Sequence, residues 1–179
     1  MVETFKQTLW QNFGAAIDML KNAISAYPDD LWHSETKFFY LSYHTVIFLD
    51  YYLTIPARDF LPALPYTITP EIELPSGAVD DVIPNEYYSK QAMLSYLLSI
   101  RAKGKELITH APAHKLSARW IDEADIHLHG LCPSIVVNYT VLEILFYNLR
   151  HVQHHVAQLN LLLRQKTGAA PDWISLAED

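Results

Sequence analysis

The chain has 179 residues, one cysteine (Cys132) and a formal net charge of −7, from 13 Lys plus Arg against 20 Asp plus Glu. One cysteine excludes an internal disulfide framework, and an acidic chain without a Lys/Arg cluster is badly suited to phosphate backbones, so no nucleic-acid partner is expected. Half of the residues are hydrophobic, enough for one core, and no stretch reads as a signal peptide or a membrane span; the expectation is a single cytoplasmic domain over residues 1–179 with no membrane partner.

The first segment, Glu3 to Ser25, repeats apolar residues at helical spacing. Phe5, Leu9, Phe13, Ala16, Leu20 and Ile24 make one stripe, widened by Trp10 and Ile17. Pro28 in YPDD ends it, because the residue before a proline is driven out of the helical region. A second helix is expected from about Ser34 to Tyr52. Lys37, Leu41, His44, Phe48 and Tyr51 share a face, as do Tyr40, His44, Ile47 and Tyr51. So little polar surface remains that this helix should be buried on more than one side.

Thr54 to Tyr88 carries Pro56, Pro62, Pro65, Pro70, Pro75 and Pro84, with Gly77 its only glycine. Prolines at this density favour extended and turn backbone over helix. A connection this long in a compact domain is usually functional, such as a lid or pocket wall, and its Phe60, Leu64, Tyr66 and Ile68 point to an ordered loop packed on the body. Ser89 is a good N-cap for a third helix over Lys90 to about Ile108, with Met93, Leu94, Leu97, Leu98 and Ile100 apolar. His110 to Tyr139 is a second irregular stretch in which SIVVNY is β-prone and a candidate for extended backbone, with strands at most minor. The last helix opens with TVLE, where Thr140 and Glu143 form a capping box, and ends at Gly168, suited to the left-handed C′ position. The fold class is all-α: a four-helix bundle with two long, partly proline-rich connections.

The closing helix contains NLRHVQHHVAQLNLLLRQ. His151 and His155 are four residues apart and project from one face, as the two histidines of an HExxH zinc motif do. The glutamate of that motif is absent. The face continues through Ile144, Asn148, Leu159 and Leu162, the core side, where an imidazole is costly unless its nitrogens find partners. His154 is turned about 100° away, toward the surface or an outer shell. His44, midway along the second helix, is the third candidate. Three imidazoles from two helices make a His₃ site with a coordination position left for water or substrate. Taken singly, a buried histidine is better explained as a hydrogen-bonded structural group, and for the His151/His155 pair alone the two readings stand level. His127 and His129, in HLH, alternate in a loop and are read as exposed, and His33, His110 and His114 as surface residues. Tyr40 and Tyr51 are read as pocket lining, and Asn148 and Gln158 as groups that orient the ligands. Cys132 has no CxxC partner, and there is no GxSxG.

TKFFYLSYHTVIFLDYYL (Thr36 to Leu53) together with YNLRHVQHHVAQLNLLLRQ (Tyr147 to Gln165) resembles the DinB-like (YfiT-like) metal-binding four-helix bundles. The order of parts resembles them too: two helices, a proline-rich connection, a helix after YYSKQAML, and a closing histidine helix. The resemblance spans all but about the last dozen residues. It implies an up-down-down-up bundle, often a homodimer, with His44, His151 and His155 as ligands of a divalent metal, nickel or zinc. It also implies a small-molecule substrate and, in the characterised cases, a low-molecular-weight thiol as co-substrate. The expectation is therefore a metal-dependent enzyme of the thiol S-transferase or hydrolase type. The alternative is a non-catalytic stress-response binding or dimerisation module of the same fold.

Overall fold

A computed structural model describes residues 2–178. It is mostly helical: α1 (Val2–Ala26), α2 (Thr36–Leu53), α3 (Lys90–His110), a one-turn α4 (Ala113–Leu116) and α5 (Val141–Thr167), with β1 (Tyr66–Ile68) and β2 (Val82–Pro84) as a small antiparallel pair. Among the four long helices, α1 packs on α3 and α5, and α2 packs on α5 and α3. The core between them is rich in aromatics, with Trp10, Phe13, Phe39, Tyr43, Tyr51 and Tyr52 fully or almost fully buried. No helix among the described residues is long and apolar enough to cross a membrane.

The helix ends follow local chemistry. Ser89 accepts a hydrogen bond from the Ala92 amide and starts α3. Thr140 and Glu143 make the reciprocal capping box at the start of α5, and Gly168, at φ 78°, ends it with its amide on the Arg164 carbonyl. α2 is buried nearly all round; even Ser42 and Thr45 are inaccessible. That is why it shows so little polar surface.

Three expectations need correction. Phe5 is 39% exposed and Leu98 53% exposed, so neither belongs to the core. Phe5 sits in the first turns of α1 and meets Phe146 of α5 at the surface. The α3 helix runs two residues past the expected end near Ile108, to His110. The SIVVNY segment is not extended: Ser134–Val136 is a 3₁₀ turn after Pro133. Val136 O accepts from the Trp120 indole and the Tyr139 amide, and Val137 O from Arg119; only at its end does the segment meet extended backbone, where Tyr139 O accepts from the Trp120 amide beside the isolated Arg119–Thr140 bridge.

The proline-rich connection is ordered against the bundle. Tyr43 of α2 donates to the Leu64 carbonyl and Tyr88 to the Pro65 carbonyl, at 2.7 and 2.8 Å. Further on, Thr36 Oγ1 donates to the Ser76 carbonyl. Gly77 adopts φ +90°, and a Cβ there would fall 2.8 Å from Thr36 Oγ1 and 3.0 Å from the Lys37 amide nitrogen. Only glycine lets the connection press this closely onto the start of α2. The segment 77–80 is thereby laid along the histidine side of the molecule.

Candidate metal centre

Helical periodicity on α2 and α5 brings three imidazoles to one point. His44 Nε2 lies 3.0 Å from His151 Nε2, which lies 3.1 Å from His155 Nε2. One nitrogen from each ring falls within a mutual 4.8 Å. His155 is buried, and His44 and His151 are nearly so. Phe48, one turn beyond His44, stands 4.7 Å from the His44 ring, and Tyr147 stacks parallel to His151. The cluster is closed off on that side by aromatic surface.

The outer nitrogens decide what this cluster can do. Asp80 Oδ2 lies 2.9 Å from His44 Nδ1. An ionised carboxylate only accepts, so Nδ1 carries the hydrogen and Nε2 of His44 presents a lone pair inward. Gln158 Oε1 accepts from His155 Nδ1 at 2.7 Å, which turns a second lone pair the same way. His151 stands between them with Nδ1 buried and without a partner. A neutral imidazole has one N–H, so either tautomer of His151 leaves a buried nitrogen unpaired. Burial and the neighbouring imidazoles hold the His151 pKa down to about 2, and burial holds His155 at about 4. Both rings are therefore neutral near pH 7, the state a metal requires of histidine. Inward lone pairs held by outer hydrogen bonds fit a divalent cation better than they fit one another.

The other expected residues fall at varying distances. Gln158 orients His155. Asn148 is fully buried, but its amide donates to the Leu49 carbonyl and ties α5 to α2 rather than to a histidine. Tyr40 shares a hydrogen bond with Tyr87. Tyr51 faces away, packed edge-on against Phe60, Trp120 and His129. Phe48 and Tyr52 supply the α2 aromatic surface beside the cluster instead. His127 is exposed, and His129, although partly buried against Phe60, stands outside the cluster. His154 is exposed with its ring 5.0 Å from His155. Burial pushes the Cys132 thiol up from its ordinary pKa, which argues against a nucleophilic role.

Asp80 is the residue that reading the sequence missed. It sits in an irregular loop beside a second aspartate, Asp81, and no periodicity singles it out. Its carboxylate is itself fixed, because Oδ1 accepts from the Val82 amide at 3.1 Å.

A cleft of about 530 Å³ opens beside the cluster. It is lined by Leu41, by Gly77 to Val79 of the connection, and by His154, His155 and Gln158 of α5 among others. The proline-rich connection thus serves as its wall.

Comparison of the chain with protein-family models, with curated proteins and with solved structures gives no match.

Proposed function

We propose that this chain is a divalent-metal-binding helical protein whose ion is held by His44, His151 and His155. Within that class we propose a DinB-like (YfiT-like) bundle, its four long helices in up-down-down-up order, acting as a metal-dependent thiol S-transferase or hydrolase on a small molecule. The observation that carries the reading is the inward convergence of three Nε2 atoms, two with outer nitrogens engaged by Asp80 and Gln158. An all-imidazole donor set suits nickel or zinc, and three protein ligands match the open, catalytic pattern rather than the closed, structural one. Bound there, a divalent ion supplies Lewis acidity that lowers the pKa of a thiol or water reaching it. The protein's own part is to keep the imidazoles neutral, to fix their tautomers from outside and to exclude bulk water with Phe48, Tyr52 and Tyr147.

One observation favours the non-catalytic alternative. The carboxylate at the cluster, Asp80, is committed to His44 and to the Val82 amide, and no Asp or Glu is among the residues lining the cleft to act as a general base.

The first test is metal content. Untagged protein should carry close to one divalent ion per chain, and His44→Ala and His151→Ala should each lose it. Full occupancy in both variants would sink the site. A screen of metal-loaded protein against thiols with electrophilic substrates, and against esters and amides, then separates the two readings. Turnover that disappears in His151→Ala supports the enzyme; no turnover across both sets supports the binding module.

A further inference from the structure

The cleft beside His155 combines features that the metal centre does not require. Its walls are apolar on both sides: Leu41 of α2, Val79 of the connection, and Leu161 and Leu162 of α5. Val79 and Leu161 are 42% and 55% exposed, so these large side chains are held toward solvent rather than buried in the core. The charge is also one-sided. The chain has a net charge of −7, yet no carboxylate is among the lining residues, which include Lys37 and His154. Lys37 is exposed and makes no ion pair among the described residues, whereas Lys166 of α5 pairs with Glu35. The cleft's volume, about 530 Å³, lies within the few-hundred to roughly 1,000 Å³ range of small-molecule sites, which are typically apolar with a few placed polar groups.

We propose that this cleft binds a small amphipathic anion, a carboxylate whose apolar body lies on Leu41, Val79, Leu161 and Leu162 and whose charged end meets Lys37. The proposal deepens the metal-centre reading and rests on it for its catalytic meaning, because His155 and Gln158 form part of the same wall. A ligand seated there lies against a metal ligand at one side and a cation at another. Lys37 is then a specificity residue: it selects charge, while the leucines and Val79 supply most of the affinity. An exposed charge pair adds a modest increment, so the expected preference for an acid over the matching alcohol is about fivefold.

The test uses octanoate, octan-1-ol and octylammonium as probes on the full chain stripped of metal, so that carboxylate coordination cannot mimic the effect. Binding is followed through ¹³C-methyl resonances of Leu and Val. Octanoate should bind about fivefold more tightly than octanol, octylammonium should bind more weakly than either, and the shifts should centre on Leu41, Val79, Leu161 and Leu162. Lys37→Met should abolish the preference for octanoate while leaving octanol binding in place. Leu161→Gln, at an exposed position, should weaken both. Equal binding of acid and alcohol would overturn the proposal. So would an unchanged preference in Lys37→Met, or shifts confined to Val156 in the separate cleft between α1 and α5, which Met19 and Trp173 also line. Because these arms contain no metal, they stand or fall apart from the metal-content test: loss of the metal site leaves them intact, and their failure leaves the metal site intact.

Discussion

Removing the Asp80 carboxylate should weaken metal binding without touching a ligand. The perturbation is Asp80→Ala, with Asp80→Asn as the graded case. In the folded chain Oδ2 lies 2.9 Å from His44 Nδ1, a charge-assisted contact of the kind worth about 1.5–3 kcal/mol. The Asp80 side chain is 28% exposed, which places the effect at the low end through solvent screening. About 1.4 kcal/mol corresponds to a tenfold loss of affinity, the lower limit for outer-shell partners of metal-bound histidine. Asparagine can still accept from Nδ1 and keep the tautomer, so its loss should be smaller, about threefold. The assay is competition for zinc or nickel against a chromophoric chelator at pH 7.5, with circular dichroism as the check on folding. Alanine also removes the bond from the Val82 amide, so Thr36→Val serves as a control that loosens the same loop at Ser76 and leaves the carboxylate in place. Affinity in Asp80→Ala within twofold of the parent would refute the reasoning. An equal loss in Thr36→Val would show that loop order, not the carboxylate, sets the affinity.

Other consequences are open to measurement. Metal-free protein should lose stability as pH falls below about 6.5. The folded-state pKa values of His151 and His155 are lowered to about 2 and about 4, so the unfolded chain takes up protons first, and the stability present at neutral pH drains away down to about pH 4 for His155 and about pH 2 for His151. Two such groups amount to about 1–2 kcal/mol between pH 6.5 and 5.5 after allowance for partial solvation of His155, readable by urea titration at several pH values; a flat profile would contradict the burial argument. Gly77→Ala should cost about 1–2 kcal/mol from a left-handed residue with a Cβ, lowering Tm by about 4 °C, and should weaken metal binding as the 77–80 segment lifts; unchanged values of both would show that the close approach to Thr36 is not needed. Thr140→Ala should cost about 1 kcal/mol through the lost capping box, measured by denaturant midpoint. Asp50→Ala leaves the buried Tyr96 hydroxyl without its carboxylate acceptor, whereas Lys103 keeps the Thr54 hydroxyl and the residue-50 backbone carbonyl; a loss of about 1–3 kcal/mol is expected, and a loss under about 0.5 kcal/mol would mean water replaces the carboxylate.

The parts of this molecule that could be read from the sequence are those governed by local rules. The ends of α3 and α5 depend on side chains within three or four residues, Ser89 with Ala92 and Thr140 with Glu143, so their signals are contiguous. His44, His151 and His155 could be placed on core faces because a helix repeats every 3.6 residues. The same rule failed for Tyr51. It lies seven residues from His44 and shares its stripe, but α2 is buried nearly all round and offers partners on every side; Tyr51 meets the loop residues Phe60, Trp120 and His129 instead. Asn148 failed for a related reason. It precedes His151 by three residues, but the nearest acceptor for its amide is the Leu49 carbonyl across the helix interface. SIVVNY favours strands by composition, but Pro133 starts a 3₁₀ turn over Ser134–Val136, the Trp120 indole and Arg119 take the Val136 and Val137 carbonyls, and backbone pairing is left only at Tyr139, with the Trp120 amide.

Asp80 shows why the connection rather than the helices gives this site its character. The helices can bring three nitrogens together, but they cannot choose which nitrogen of His44 bears the proton. That choice comes from a carboxylate held by its own turn, with Oδ1 on the Val82 amide at the start of β2. The turn is positioned in its turn by Gly77 against Thr36 and Lys37. Residues 77–79 between these anchors also wall the cleft. A single short segment therefore orients a candidate metal ligand with one end and bounds the adjoining cavity with its middle. A ligand that displaced the backbone of residues 77–80 would act on both the Gly77 contact and the Asp80–His44 bond. Were such a ligand and the proposed metal both bound, thermodynamic reciprocity would require each to change the other's affinity by the same factor.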